Sequence, residues 1–254
     1  MDLIIAAFLG IVQGITEWLP ISSSGHLALM QNILGLQVPV LFDILLHLGT
    51  ILAVIIFFRK DIVNMIKAIS KLDFKGPDGK MVLFILIALI PTAIIGFAFK
   101  DLFESFFYNL TAVGIAFLAT GCFLFVCDRW PGKGNIRFRS SLLMGFAQGI
   151  AIIPGISRSG ATIGTGLLAG IDKEKVARFS FILAVPAILG ASVFDFNAVD
   201  ISSIGWDASL AGIAVSAVAG YASIKFLLGV IKKQKFRWFA VYCWLIGVVT
   251  LLLF

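Results

Sequence analysis

Charge is scarce in this chain. Asp, Glu, Lys and Arg make up 13% of its 254 residues, about half of what a water-soluble globule carries. With 60% hydrophobic residues and a mean hydropathy of +1.05, an ordinary soluble domain is excluded and a polytopic membrane protein is expected. Cysteine is scarce as well: Cys122, Cys127 and Cys243 are odd in number and lie inside apolar runs, which excludes a disulfide framework and a zinc site. No basic leader or small-residue cleavage pattern accompanies the first apolar stretch, which starts directly after Asp2, so it is expected to stay in the mature protein. Low-complexity tracts are missing too. The 20 Lys and Arg residues behind a pI near 9.3 sit in short segments between apolar runs. That is the pattern of cytoplasmic loops and not of a nucleic-acid-binding face.

What is abundant is apolar sequence of spanning length. A membrane helix needs about 20 apolar residues, roughly 17 to 25. Residues 81–99, 110–127, 208–224 and 238–254 each run 17 to 19 residues without a charge. Residues 179–194 run 16, and residues 38–58 qualify in length although Asp43 and His47 interrupt them. Six spans are therefore expected. Two further uncharged runs, residues 3–16 and 159–171, are too short to cross. Each adjoins a break at Pro20 or at Pro154-Gly155, where a helix loses a hydrogen bond or its conformational restraint. Two short helices that dip in and turn back fit these lengths.

Loop charge sets the orientation. Residues 59–80 carry six Lys/Arg, 129–139 four, 173–178 three and 225–237 five, so these segments are predicted to be cytoplasmic. Residues 100–109 carry one Lys, and 195–207 carry three Asp and no base, so these are predicted to be external. Residues 59–80, with the turn Lys75-Gly76-Pro77-Asp78-Gly79, read as a plain loop. On this scheme the second short pair enters and leaves on the inside and the first on the outside. The expected fold is all-α: a single membrane domain over residues 1–254, with six transmembrane helices and two re-entrant helix-loop-helix pairs in an inverted-topology repeat. Its halves cover approximately residues 1–130 and 131–254.

The short pairs hold the polar sequence. QGITEWLPISSSGH, residues 13–26, and QGIAIIPGISRSGAT, residues 148–162, overlay without a gap at an offset of 135. Gln13/Gln148, Gly14/Gly149, Ile15/Ile150, Ile21/Ile156, Ser22/Ser157, Ser24/Ser159 and Gly25/Gly160 are identical. One copy carries Glu17 and His26, and the other carries Arg158 at the position of Ser23. The two motifs read as halves of one site.

Each of these residues has an ordinary explanation. Glu17 could face water from a shallow loop, His26 could bond a carbonyl, Arg158 could snorkel, and Ser22 or Ser157 could simply cap a helix. Together they form a chemical inventory. Charged groups in the membrane usually line a cavity and find partners, and a capped helix start is an anion site. Ser22, Ser23, Ser24 and Gly25 on one side, with Ser157, Ser159, Gly160 and Thr162 on the other, would offer two such starts. Arg158 adds forked donors. A diphosphate suits this set better than a carboxylate. Glu17 can hold a divalent cation such as magnesium or calcium, or act as a base, and His26 can move a proton. Asp43 and His47, four apart on one helix face, are expected to be a mutually satisfied pair that positions the first hairpin, a reading preferred over a direct part in the chemistry.

The two motifs resemble those of the bacitracin-resistance undecaprenyl-diphosphate phosphatases: an acid-or-Gln, three residues and a Glu, then a Pro, Ser-rich and Gly-His stretch, and later Pro-Gly-x-Ser-Arg-Ser. The resemblance implies an integral membrane hydrolase that removes the terminal phosphate of undecaprenyl diphosphate and recycles the lipid carrier for cell-wall synthesis. It also implies dependence on a divalent cation, and bacitracin resistance when the protein is abundant. The family fold has six spans and two re-entrant pairs in an inverted repeat, with the site open to the extracytoplasmic side of the bacterial inner membrane. Carried over by position, the metal-associated acid falls on Glu17, the catalytic serine on Ser23, the essential histidine on His26 and the phosphate-binding arginine on Arg158. Gln13 stands where the signature has its first acid, which leaves Glu17 as the firm anionic ligand and the cation held largely by substrate phosphates. Whether Ser23 attacks or His26 activates water stays open. The rival reading is a transporter or flippase of a phosphorylated polyprenyl lipid, because broken helices in inverted repeats mark carriers. The partners expected are the polyprenyl diphosphate and the bilayer, with no nucleic acid; a homodimer is compatible with the chain.

Overall fold

The computed structural model describes residues 1–36, 38–130, 132–195, 205–232 and 236–254. Among the described residues there are twelve helices, and pairing between extended segments is limited to one bridge, between Gly134 and Ile171.

Some helix ends can be traced to single residues. α1 (Leu3–Trp18) begins behind Asp2, whose Oδ1 accepts from Ile4 N at 2.7 Å. It ends before Leu19, held extended at φ −70°, ψ 146° by the following Pro20. α2 (Ser23–Ile33) follows, then α3 (Val40–Phe57), and α4 (Arg59–Ser70) leaves α3 at 82°. α5 (Pro77–Ala98) opens with proline, whose missing N–H costs nothing at that position. α6 (Lys100–Phe107) precedes α7 (Leu110–Cys127), which is capped by Asn109 Oδ1 accepting from Ala112 N at 3.0 Å. α8 (Phe138–Ile150), α9 (Arg158–Leu168), α10 (Lys173–Asp195), α11 (Trp206–Lys232) and α12 (Arg237–Leu253) complete the chain.

α5, α7, α10 and α11 are each long and apolar enough to cross a membrane, and the bent pair α3–α4 makes a fifth if it is one span. α12 is shorter but apolar over its 17 residues. The protein is an all-α, multi-pass membrane protein. Two predicted loops are instead helical. Residues 59–80 contain α4, because Ile62, Met65, Ile66 and Ile69 recur at helical spacing while Lys60, Lys67 and Lys71 share the opposite face. Residues 100–109 contain α6. The basic segments 173–178 and 225–232 prolong α10 and α11. Of the predicted external segment 195–207, residues 196–204 lie outside the described residues, as do 233–235 of the basic segment 225–237.

The offset of 135 reappears in the helices. α1 and α8 start 135 residues apart, as do α2 and α9, which are both eleven residues long. Their packing matches: α1 lies along α11, and α8 along α5. Lipid supplies little hydrophobic drive between helices, so close packing over small residues must do it. Gly10 and Gly14 of α1 meet Gly212, Val215 and Ala219 of α11, and Gly145 and Gly149 of α8 meet Ala88 and Ile95 of α5. Each short pair is thus clasped by a long helix from the other half of the chain. The largest buried cluster, with Trp18, Leu124, Met144, Phe179 and Phe181, lies at this junction.

Candidate active site

The two helix breaks pack on each other. Ser22 caps α2 with its Oγ accepting from Gly25 N at 3.3 Å, and the same oxygen accepts from Gly155 N, across the repeat, at 3.2 Å. Ser157 caps α9, accepting from Gly160 N at 3.1 Å. Ser159 Oγ donates to Leu19 O at 3.0 Å, so each break holds the other. Thr120 of α7 braces the second break: its Oγ1 donates to Gly155 O at 3.0 Å and accepts from Ser157 N at 3.3 Å. Gly155 has φ +94°, and a Cβ there would lie 2.6 Å from Val113 O, so both backbone and space require glycine. Ser22 adopts φ +68°, a conformation that residues with a side chain rarely take.

This crossing brings α1 and α9 together at Glu17, which is 4% exposed. A buried carboxylate needs charge-assisted partners, and Glu17 has four. Arg158 Nη2 donates to Oε1 in an ion pair, and Ser23 Oγ donates to Oε2. Gln13, one helical turn back, donates from Nε2 to Oε2 at 3.0 Å. His47 Nε2 lies 3.5 Å from Oε2. The guanidinium of Arg158 also sits 5.7 Å from the Trp18 ring centroid. Among the described residues, Arg158 Nη1 and Gln13 Oε1 are buried and without a hydrogen-bond partner. They are a spare donor and a spare acceptor beside one carboxylate.

The remaining predicted residues divide. Ser157, Ser159 and Thr162 are buried and spend their hydroxyls on the fold: Ser157 and Ser159 contact each other at 3.2 Å, and Thr162 Oγ1 donates to Arg158 O at 2.9 Å. Ser24 contacts Ser22 at 3.3 Å. Gly25 and Gly160 lie in the two capped turns, and a Cβ on Gly25 would strike Phe117 at 2.6 Å. His26 does not join the Glu17 group in this geometry. Its Nδ1 lies 2.7 Å from Ser22 O and its Nε2 2.7 Å from the hydroxyl of Tyr242.

The four-residue spacing predicts His47 as half of a pair with Asp43. The structure gives the two residues separate partners. The Asp43 carboxylate accepts from Gln31 Nε2 at 2.9 Å, which ties α3 to the end of α2, while His47 Nδ1 meets the backbone oxygen of Asp43 at 2.7 Å and turns Nε2 to Glu17. The signal for His47 was its rarity, since the chain has two histidines. For Thr120 and Tyr242 the sequence carried no signal, because each lies in an unbroken apolar run.

A family model described as bacitracin resistance protein BacA matches residues 6–249. The chain is 43% identical to an undecaprenyl-diphosphatase of Carboxydothermus hydrogenoformans, over 98% of this chain and 96% of that protein. It is 40% identical to an undecaprenyl-diphosphatase of Methanosphaera stadtmanae, over 100% of this chain and 98% of that protein. It is 41% identical to one of Korarchaeum cryptofilum, over 99% of each.

Proposed function

The chain belongs to the bacitracin resistance protein BacA family, and from that premise we infer that it is an integral membrane undecaprenyl-diphosphatase. It hydrolyses undecaprenyl diphosphate to undecaprenyl phosphate and inorganic phosphate, which returns the lipid carrier to cell-wall synthesis and gives resistance to bacitracin. The observation that carries this reading at the site is the convergence of Arg158, Ser23 and Gln13 on buried Glu17, contributed by both motifs.

In the proposed reaction the diphosphate enters between the starts of α2 and α9. A phosphate oxygen takes the spare Nη1 donor of Arg158, and Arg158 neutralises charge that grows on the terminal phosphoryl oxygens. Ser23 Oγ, already donating to Glu17, gives its proton to that carboxylate as it attacks the terminal phosphorus. The bond from phosphorus to the bridging oxygen breaks, and undecaprenyl phosphate leaves. Water then attacks the phosphoserine phosphorus as the bond from phosphorus to Oγ breaks; Glu17 returns its proton to Ser23 Oγ, and the water's protons leave with the inorganic phosphate. Ser23 is preferred over water activated by His26 because Ser23 bonds Glu17, whereas both nitrogens of His26 are engaged elsewhere.

We extend the proposal to a divalent cation, magnesium or calcium. Among the described residues no three His, Cys, Asp or Glu side chains gather as a ligand set. The Glu17 carboxylate and the unpartnered Gln13 Oε1 nevertheless suit a hard cation that the diphosphate itself largely coordinates. When bound, the cation would offset charge on the phosphates. The site is proposed to open to the extracytoplasmic side of the inner membrane, a reading supported by the basic segments at the opposite ends of the spans. A homodimer through lipid-facing helices belongs to the same proposal, and native mass spectrometry of the detergent-extracted protein would count the subunits.

The test is phosphate release from undecaprenyl diphosphate by purified protein in detergent, with magnesium, with calcium and with chelator. Arg158→Ala strands a buried carboxylate, so Glu17→Gln and the double variant are measured beside it for folding and activity. Release that needs the cation and falls about a hundredfold or more in each variant is expected. A wild-type protein that binds the lipid but releases no phosphate with any cation would sink the reading.

A further inference from the structure

We infer that Tyr242 is a positioning residue for His26 and, through it, for the turn that presents Ser23; the functional part of this inference rests on the phosphatase reading above. Tyr242 lies on α12, 216 residues from His26 in the chain. Its hydroxyl is 2.7 Å from His26 Nε2, and the two rings stack with centroids 5.6 Å apart and planes 9° from parallel. On another side Phe117 of α7 meets the imidazole edge-on, at 5.1 Å and 83°. The imidazole is held by aromatic rings from two packed helices.

The bond pattern assigns the protons of the neutral ring. The Ser22 oxygen beside Nδ1 is a carbonyl and can only accept, so Nδ1 carries the hydrogen. Nε2 then holds a lone pair, and the hydroxyl of Tyr242 is the donor that meets it. Neither bond alone fixes the ring, because rotation about one contact can lose the other. Together they determine its tautomer and its plane. The Nδ1–H in turn grips the carbonyl of Ser22, the residue at φ +68°. Ser23 comes next, with its hydroxyl on Glu17. Tyr242 is thus the last contact in a short chain that ends at the proposed nucleophile. It is 40% exposed. An interfacial tyrosine merely placed among lipids would need neither the short bond nor the parallel stack.

The chain has two histidines, which makes the test direct. The imidazole nitrogens of detergent-solubilised, [15N]histidine-labelled protein are observed by NMR, with His47→Gln used to assign the two rings. The wild type is expected to show His26 protonated at Nδ1 and hydrogen-bonded at Nε2. In Tyr242→Phe the Nε2 signal should move to that of a lone pair without a donor. The same variant should lose about tenfold in kcat, the scale of one hydrogen bond, with KM changed less than about twofold. Tyr242→Leu, which also loses the stack, should lose more, and melting curves of both variants separate this from unfolding. An unchanged Nε2 signal in Tyr242→Phe overturns the inference. So does a moved signal with unchanged kcat, and so does a rise in KM alone, which would make Tyr242 a substrate contact. If the wild type releases no phosphate, the phosphatase reading fails on its own, and the NMR comparison still decides whether Tyr242 holds His26.

Discussion

At the scale of single residues, buried Glu17 accepts half-buried Arg158 on one oxygen and half-buried Ser23 and buried Gln13 on the other. Arg158→Lys keeps the charge but replaces a planar fork with a point charge. It is expected to lower kcat/KM for phosphate release by about 10- to 100-fold while the protein stays folded, since one nitrogen must then reach both Glu17 and phosphate. A lysine variant with wild-type kinetics would argue against a forked contact. Gln13→Glu tests the cation proposal from the other direction. It exchanges the orphaned amide oxygen for a second carboxylate one helical turn from Glu17. Titration of activity with magnesium should then reach half-maximum at a lower concentration than in the wild type. A shift to higher concentration would mean that position 13 does not face the cation.

At the scale of elements, the site depends on two interrupted helices staying interlocked. Gly155→Ala forces a side chain onto φ +94° and against Val113 O. It should cost about 1 to 3 kcal/mol of stability, read as a lower melting temperature in detergent, with activity falling in parallel. Ser22→Ala removes one oxygen that serves both its own helix cap and Gly155 N. A loss of about 1 to 2 kcal/mol is expected, the upper part of the range for a cap, because the cross-link between breaks goes with it. If Ser22→Ala melts like the wild type, that cross-link does not hold the site. The glycine faces of α1 and α8 obey one rule at two places, and bulky substitutions at Gly14 or Gly149 would pry apart α1–α11 or α8–α5.

At the scale of the molecule, the six-span arrangement and the inverted repeat are proposals that can be tested together. In a background with Cys122, Cys127 and Cys243 replaced by serine, single cysteines at Lys71 and Asp101 would report on the segments that close α4 and open α6. A membrane-impermeant maleimide added to intact cells is expected to label position 101, and position 71 only after the membrane is opened. Labelling of both, or of position 71 alone, would overturn the proposed orientation. Activity should need both halves for a plain reason: Glu17 and Ser23 come from one, Arg158 from the other, and each hairpin is packed against a helix of its opposite half.

Class, motif and family could be read from the chain because they rest on local properties. Hydropathy runs of spanning length, a proline between the helices of each short pair, basic segments between spans and an ungapped 135-residue offset are all visible without knowing what touches what. For the same reason Glu17, His26 and Arg158 stand out: charged groups are costly in apolar sequence and need a purpose, whereas Ser23 is marked by the resemblance of the motifs. Contacts across the chain could not be read in this way. His47 turned from Asp43 to Glu17 because the packing of α3 beside α1 brings its Nε2 within 3.5 Å. His26 turned from the Glu17 group to Tyr242 because α12 lies along α7 beside the start of α2, and nothing near residue 26 in the sequence encodes a partner 216 residues away. α4 is hidden for a milder reason, since charge counting sees a loop where helical spacing of Ile62, Met65, Ile66 and Ile69 allows an amphipathic helix. Which residues carry the polar chemistry follows from composition and pattern. Which of them meet follows from packing, because a hydrogen bond is decided within a few tenths of an ångström that only the assembled helices specify.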